Sequence, residues 1–264
     1  MILNSSDIKT FSYRIKSSLH VSGCGIVKLK IHESDANPIL QLTCCRNIST
    51  AGWVNFHGKK VDEKLTLCDY EYKVKWKHLF PDEKCNLVPR PLIMGFDIEV
   101  NSTNPTRMPK AEVPGDKVFQ VSCVLARDGD SPDEYEKYIL TLGDPDQKIT
   151  GKDVKILTYT CESDLLLGYT EFIRSKNPNI IVGYNILGFD IPYMIARAKF
   201  GCNACCIGEF DKQGFHKTKH AKERIIKWSS SAYKNQEFEF LDAEGRVFVD
   251  LLPLIKRDFK FFLL

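Results

Sequence analysis

The sequence lacks the segments that would direct a chain into or across a membrane. No apolar run approaches the roughly 20 residues that a transmembrane helix requires. The first residues, MILNSS, have neither the basic segment nor the long apolar stretch of a secretory signal peptide. The ten cysteines are therefore expected to be free thiols, since disulfides belong to oxidising compartments. We expect a soluble intracellular protein with no membrane partner.

A strong excess of one charge sign is also missing. The formal net charge is +3 over 264 residues, so composition alone does not demand a polyanionic partner. The hydrophobic content of 43% suffices for one large domain or two smaller ones. One local stretch, residues 212–227, is basic with few acids. It is either a solvated face or an edge that follows the phosphates of bound DNA.

The chain is predicted to contain two domains. Residues 1–90 are expected to form a mainly β domain, because segments such as 25–32 and 70–76 alternate apolar and polar residues. Three prolines and several charges between residues 81 and 91 indicate a boundary. The function of residues 1–70 stays open.

Beyond the boundary, residues 91–264 are expected to form an α/β (mixed α+β) domain. Strands are predicted over residues 92–100, 117–125, 136–142, 180–184 and 246–250, and helices over residues 162–176, 191–200 and 251–259. Strands flanked by helices in this order predict a central mixed sheet covered by helices.

Two carboxylates stand out inside an apolar strand. Asp97 and Glu99 are two residues apart in the segment LIMGFDIEV, so both side chains lie on one face. We expect this strand to be central and the two carboxylates to be buried. Buried like charges require neutralisation, and divalent cations supply it. The alternative is an edge strand with both acids in solvent.

A second segment, residues 177–197, predicts a buried strand, a turn and a helix. The turn carries Asn185 and Asp190, at the strand end where α/β proteins usually build their sites. Asp190 could instead cap the helix, and Asn185 could be an ordinary turn residue. Neither alternative explains why Tyr184 and Phe189 crowd the same loop, an arrangement typical of base stacking with single-stranded nucleic acid.

These two segments resemble motifs of the family B DNA polymerases. Phe96-Asp97-Ile98-Glu99 resembles the Exo I motif, and Gly183-Tyr184-Asn185-x3-Phe189-Asp190-x-Pro192-Tyr193 resembles Exo II as found in polymerase delta and large DNA viruses. The similarity is clear from about residue 70 to 264, and includes the segments before and after Exo II. It implies a ribonuclease-H-like fold and a proofreading 3′→5′ exonuclease that acts in DNA replication.

The resemblance also implies residue roles. Asp97 and Glu99 would hold the catalytic ion of a two-metal Mg²⁺ or Mn²⁺ site, and Asp190 would serve the second ion. Asn185, Phe189 and Tyr184 would hold the single-stranded 3′ primer end, whereas Asp250 is expected to be structural. The implied partners are DNA and the remainder of the polymerase, with a processivity factor left open.

One part of the family pattern is absent. No Tyr-x-x-x-Asp, the Exo III motif, follows Exo II, and the polymerase motifs are missing too. We therefore expect an incomplete exonuclease domain from a truncated, split or misread gene, with weak nuclease activity and no nucleotide transfer. The alternatives are a non-catalytic module that binds single-stranded DNA and an exonuclease of the same superfamily that works alone. A viral replication site or the nucleus is the expected location, with a large DNA virus favoured as the source.

A zinc site is a further hypothesis. Cys202, Cys205, His216 and His220 have the order of a C2H2 site, but the gap between the pairs is shorter than in zinc fingers. An insertion that carries free thiols is the favoured interpretation, and the zinc site stays open.

Overall fold

A computed structural model describes residues 5–16, 18–30, 32, 37–146, 151, 153–200, 205–230 and 234–259. The chain divides into two compact units. Unit 1 comprises Met1–Val61 and Tyr72–Leu87, and unit 2 comprises Asp62–Glu71 and Val88–Leu264. Within the described ranges, no helix has both the length and the apolar character needed to cross a membrane.

Unit 1 combines two helices with two antiparallel hairpins. Its elements are α1 (Ser5–Lys16), β1 (Leu19–Val21), β2 (Gly25–Val27), α2 (Pro38–Arg46), β3 (Val54–Lys60) and β4 (Tyr72–Pro81). Strand β1 pairs with β2, and β3 pairs with β4.

The prediction of mostly strands in this region missed both helices. The sequence contains a signal for the start of α2, because Asn37 is followed by a proline at the first helical position. In the structure the Asn37 side chain accepts a 2.8 Å hydrogen bond from the N–H of Ile39. The helix ends at Asn47 in the left-handed conformation. Arg46 fixes α2 to β4, since its Nε donates to the Leu79 carbonyl at 2.9 Å.

Unit 2 is built on a six-stranded sheet. The strands are β5 (Leu92–Val100), β6 (Val118–Arg127), β7 (Glu136–Leu142), β8 (Val154–Tyr159), β9 (Ile180–Gly183) and β12 (Val247–Asp250), in the order β12-β9-β5-β6-β7-β8. Strand β6 runs antiparallel to β5 and β7, whereas the pairs β5–β9, β9–β12 and β7–β8 are parallel. The predicted α/β class with a mixed central sheet is confirmed.

The other elements of unit 2 are α3 (Glu162–Lys176), α4 (Asp190–Phe200), α5 (Cys205–Phe210), α6 (Leu251–Asp258) and a hairpin of β10 (Lys222–Ser230) and β11 (Lys234–Asp242). Sequence patterns missed β8, α5 and this hairpin, which lies in residues interpreted as a polar stretch. The hairpin forms its own two-stranded sheet. Its strand β11 nevertheless places Leu241 in the core, with Phe240 packed against that core, and the alternating Phe238 and Phe240 were the signal that was missed.

Helix α3 supplies much of the core. Its apolar side chains recur at helical spacing and are buried: Leu165, Leu166, Tyr169, Phe172 and Ile173. The ring of Tyr169 lies 5.6 Å from that of Phe96 on β5. Among the cysteines whose side chains the structure describes, these are free thiols: Cys24, Cys44, Cys45, Cys68, Cys85, Cys123 and Cys161.

Candidate active site

The two carboxylates of β5 lie on one exposed face of the strand. Asp97 and Glu99 are exposed, whereas Phe96 and Ile98 between and beside them are buried. The strand is central, as predicted, and the shared face is confirmed. The expected burial of both carboxylates is wrong, because the face of the central strand that carries them is open to solvent at these positions.

Gly183 ends β9 beside Phe96 of β5. A Cβ atom on Gly183 would lie 2.8 Å from the Phe96 carbonyl oxygen and would also clash with Cγ2 of Ile186. Glycine is therefore the residue that fits here without a shift of its neighbours. Asn185 follows in the left-handed conformation, with φ of 61°, which asparagine adopts more readily than most residues.

Asp190 brings a third carboxylate to β5 from the start of α4. Its side chain is 3% exposed, and Oδ1 accepts a 3.2 Å hydrogen bond from the N–H of Ile98. This carboxylate thus takes the place of the missing strand partner, midway between Asp97 and Glu99. A capping role alone, the alternative read from the sequence, does not account for this contact.

Asp190 and Asp97 interact directly. The pKa of Asp190 is raised to about 6, chiefly by burial. The hydrogen bond from the N–H of Ile98 lowers this pKa, whereas the charge of Asp97 and a hydrogen bond with Asp97 raise it. Two carboxyl groups can share such a bond only when one carries a proton. The two carboxyl groups are therefore close enough for the charge of Asp97 to affect the protonation of Asp190.

Two further residues of α4 bind the loop that joins β5 to β6. Tyr193 donates its hydroxyl to the Asp116 carbonyl at 2.9 Å, and Arg197 donates to the Ala111 carbonyl at 2.7 Å. Asp190, Tyr193 and Arg197 are spaced i, i+3, i+7 and so form one stripe along the helix. Sequence analysis missed Tyr193 and Arg197, although this spacing was visible.

Asp116 organises the same loop from inside. Its buried carboxylate accepts bonds from the Thr103 N–H at 2.7 Å, the Thr103 hydroxyl at 2.6 Å and the Lys110 N–H at 2.9 Å. The hydrogen bonds from Thr103, followed by that from Lys110, lower the pKa of Asp116 to about 2. The loop that begins one residue after β5 is thereby fixed.

Asp250 has the structural role that its position in the sequence suggested. Its carboxylate accepts hydrogen bonds from the N–H groups of Asn185 at 2.9 Å, Leu187 at 3.0 Å and Leu252 at 2.9 Å. It caps α6 and holds the turn before α4 in one interaction.

The predicted DNA contacts lie together on the loop before α4. Tyr184 is exposed, while Asn185 and Phe189 are half-buried. The Phe189 ring packs at 5.4 Å on that of Tyr193. On the neighbouring strand β6, Ser122 and Gln120 lie opposite Asp97 and Glu99. Their alternation was visible in the segment KVFQVSCVL, but their place beside the carboxylates was missed.

The described residues contain no group of three His, Cys, Asp or Glu side chains gathered closely enough to hold a metal ion. The zinc hypothesis falls partly on Cys202 and the side chain of Cys205, which lie outside the described residues. His216 Nδ1 lies 3.3 Å from the Thr218 N–H nitrogen, and His220 Nδ1 lies 2.7 Å from Asp211 Oδ1.

The mixed sheet, with two carboxylates on its central strand β5 and a third at the start of α4, is consistent with a ribonuclease-H-like exonuclease fold. Residues 29–261 match the model of the DNA polymerase family B exonuclease domain, and the chain belongs to this family. Exonuclease domains of this family generally depend on divalent metal ions.

Relatives come from viruses and from cells. The chain is 43% identical to DNA polymerase 120R of Invertebrate iridescent virus 3, over 95% of this chain and 22% of that protein. It is 34% identical to DNA polymerase 037L of Invertebrate iridescent virus 6, over 96% and 21%. Identity to the DNA polymerase delta catalytic subunit of Plasmodium falciparum is 26%, over 87% and 21%. The chain thus spans about a fifth of the length of these relatives.

Proposed function

We propose that this chain is a 3′→5′ exonuclease that removes nucleotides from the single-stranded 3′ end of DNA, as the proofreading part of a replicative polymerase. One observation carries the proposal. The Asp190 carboxylate accepts a 3.2 Å hydrogen bond from the N–H of Ile98, the residue between the exposed Asp97 and Glu99 of β5.

The donor chemistry of the three carboxylates suits divalent cations. They offer only oxygen donors, which Mg²⁺ and Mn²⁺ prefer. Burial, and to a smaller extent the charge of Asp97, raises the pKa of Asp190, and a bound cation would lower it again. We assign Asp97 and Glu99 to one ion and Asp190 to the second. Bound there, such ions would supply an activated water and neutralise charge on the leaving 3′ oxygen.

The residues of the loop before α4 would bind the DNA strand. Tyr184 offers an exposed ring, and Phe189 a ring held in place by Tyr193, for stacking with the last bases. The side-chain amide of Asn185, on a turn fixed by Asp250, can donate hydrogen bonds to the same strand. These groups would orient the 3′ end toward the carboxylates.

The test uses a single-stranded oligonucleotide labelled at its 5′ end, incubated with the chain in Mg²⁺ or Mn²⁺. We expect slow shortening from the 3′ end, which Asp97→Ala abolishes. Asp133→Ala removes an exposed carboxylate from a distant turn and should leave the rate unchanged. Shortening that persists in Asp97→Ala would exclude the proposed site.

A second candidate is a module that binds single-stranded DNA without cleaving it. It is favoured by the lack of three converging metal ligands among the described residues. Binding of the oligonucleotide with no shortening, in the parent chain and in Asp97→Ala alike, would support it.

A further proposal concerns the partners and the location of this chain. Since the relatives are named DNA polymerases, we infer that the remainder of such a polymerase is a partner and that DNA synthesis takes place there. A processivity factor is a further candidate partner. The two relatives from iridescent viruses favour a viral replication site as the location. Immunofluorescence against newly replicated DNA would test it.

A further inference from the structure

The face of the sheet that carries the carboxylates continues from β5 onto β6. Residues that pair directly across two strands point to the same face, so Ser122 opposite Asp97 and Gln120 opposite Glu99 lie on it. The Cβ atoms of such pairs are about 4.5–5.5 Å apart. Asp97 and Glu99 are exposed, and Gln120 and Ser122 are half-buried. The two carboxylates therefore have an amide and a hydroxyl as neighbours.

Polar side chains on this face of β6 are confined to the positions opposite the carboxylates. Further along the strand, the same face carries Val124 and Ala126, which pair with Gly95 and Ile93 of β5. Val124 is 38% exposed, so contact with solvent alone does not select polar residues on this face. The amide and the hydroxyl thus belong to the carboxylate end of the sheet, which suggests a ligand shared with the carboxylates.

The two sides of β5 offer different groups to such a ligand. In the sheet β5 lies between β9 and β6, and the loop before α4 begins at the end of β9. Tyr184, Asn185 and Phe189 of this loop are the residues proposed above to bind the DNA strand. A nucleotide held at the carboxylates would therefore have this loop on one side and β6 on the other.

The side chain of Gln120 is held by its neighbour on the same strand. Its Nε2 donates a hydrogen bond to Ser122 Oγ at 3.4 Å. The amide has a second N–H and an acceptor oxygen, and neither has a partner among the residues that the structure describes. Because the amide is neutral, it can donate to a phosphate oxygen without adding negative charge beside the carboxylates.

We propose that Gln120 is a substrate-positioning residue, whose amide donates a hydrogen bond to the sugar–phosphate backbone of the nucleotide at the 3′ end of the strand. Ser122 orients this amide. The inference rests on the proposed exonuclease function. It assigns the placement of the reacting nucleotide partly to β6, whereas metal binding is left to the carboxylates.

The first experiment measures kcat and KM of the full chain for shortening of the 5′-labelled oligonucleotide in Mn²⁺. Gln120→Ala should lower kcat/KM on the order of tenfold, chiefly through a higher KM, as expected for the loss of one hydrogen bond to the bound strand. Gln120→Glu keeps the length of the side chain but brings a negative charge to the phosphate, and should lower kcat/KM at least as much. Thr158→Ala removes an exposed hydroxyl from the same face of β8 and is the matched control, with no change expected.

The role of Ser122 is tested through its dependence on Gln120. Ser122→Ala should lower kcat/KM about threefold in the parent chain and have no further effect in Gln120→Ala, because the hydroxyl acts through the amide. Ser122→Thr keeps a hydroxyl and should retain the parent rate. Equal effects of Ser122→Ala in both backgrounds would show that Ser122 does not orient the amide.

Melting curves separate substrate positioning from metal binding. Added Mn²⁺ should raise the melting temperature of Gln120→Ala as much as that of the parent chain, whereas Asp97→Ala should respond much less. A weaker response to Mn²⁺ in Gln120→Ala would contradict the proposal, since the amide would then support the metal site.

The kinetic results also separate this inference from the proposed function. If the parent chain shortens the oligonucleotide and Asp97→Ala does not, an unchanged kcat/KM in Gln120→Ala would overturn the role of Gln120 and leave the exonuclease in place. If the parent chain shortens nothing, both proposals fail.

Discussion

The guanidinium of Arg197 binds both carboxylate oxygens of Glu162, with Nε at 2.8 Å and Nη2 at 2.5 Å. Their side chains are 2% and 6% exposed. Glu162 also accepts a 2.9 Å hydrogen bond from the N–H of Val118, at the start of β6. One buried ion pair therefore ties α3 and α4 to the end of the loop that follows Glu99, and so helps to hold Asp190 against β5.

Removal of one partner of this pair should be costly. Arg197→Ala leaves the Glu162 carboxylate buried without its cation, and we expect a loss of about 3–5 kcal/mol in the free energy of unfolding. Urea denaturation followed by circular dichroism measures it. Lys199→Ala on the same helix breaks an exposed pair with Glu223 and should cost at most about 1 kcal/mol. Similar losses in the two variants would show that the buried pair contributes nothing special.

The contact of Gly183 with β5 predicts a second effect. In Gly183→Ala the new Cβ would meet the Phe96 carbonyl, so β9 and the loop before α4 must shift. We expect roughly 1–3 kcal/mol of destabilisation, as for other overpacked sites, and slower shortening of the oligonucleotide at a temperature where the variant remains folded. Gly208→Ala is the control, because a Cβ there has no neighbour within 4 Å, and it should be neutral or slightly stabilising.

The hydrogen bonds of Asp116 predict acid sensitivity. Its pKa is about 2 in the folded chain against an ordinary value of 3.8, so the carboxylate stabilises the fold above pH 4. This stabilisation is lost as pH falls from about 4 toward 2, because the folded chain then takes up a proton that the unfolded chain already holds.

Thr103→Val removes the hydroxyl donor and should lower stability at neutral pH and flatten its dependence on pH between 4 and 2. The exposed Thr106, whose hydroxyl contacts Asn104, supplies the control Thr106→Val. Urea midpoints at several pH values provide the measurement. An unchanged pH profile in Thr103→Val would contradict the role assigned to this bond.

Local sequence patterns were sufficient to predict the bounds of the main elements around the site. Strand β5 and helix α3 have the predicted bounds, because alternation and helical spacing are both strong there. The shared face of Asp97 and Glu99 follows from the same alternation. Their exposure could not be predicted, since it depends on what packs over that face of the folded sheet and not on local sequence.

Hydrogen-bonded pairs of residues that are distant in sequence could not be predicted, for a similar reason. Arg197 and Glu162 are 35 residues apart, and Tyr193 and Asp116 are 77 apart. No local spacing relates such residues. Asp190 was found through the motif that surrounds it, whereas its bond to Ile98 required the folded sheet.

The raised pKa of Asp190 predicts that Asp190→Asn has opposite effects on the melting temperature with and without metal. Since its pKa of about 6 lies above the ordinary 3.8, the folded chain holds this proton more tightly than the unfolded chain, and stability falls as pH rises from about 4 through 6. In EDTA at pH 7.5, Asp190→Asn should therefore melt at a higher temperature than the parent chain, with no such gain near pH 4.

Added Mn²⁺ should reverse the order, because an ion bound only by the folded parent chain raises its melting temperature with concentration. Asp190→Asn loses one carboxylate ligand and should respond much less. Asp133→Asn, an exposed acid on a distant turn, should behave as the parent chain does in both conditions. Equal shifts with Mn²⁺ in Asp190→Asn and in the parent would show that this carboxylate does not take part in metal binding, and cleavage would have to rely on other ligands.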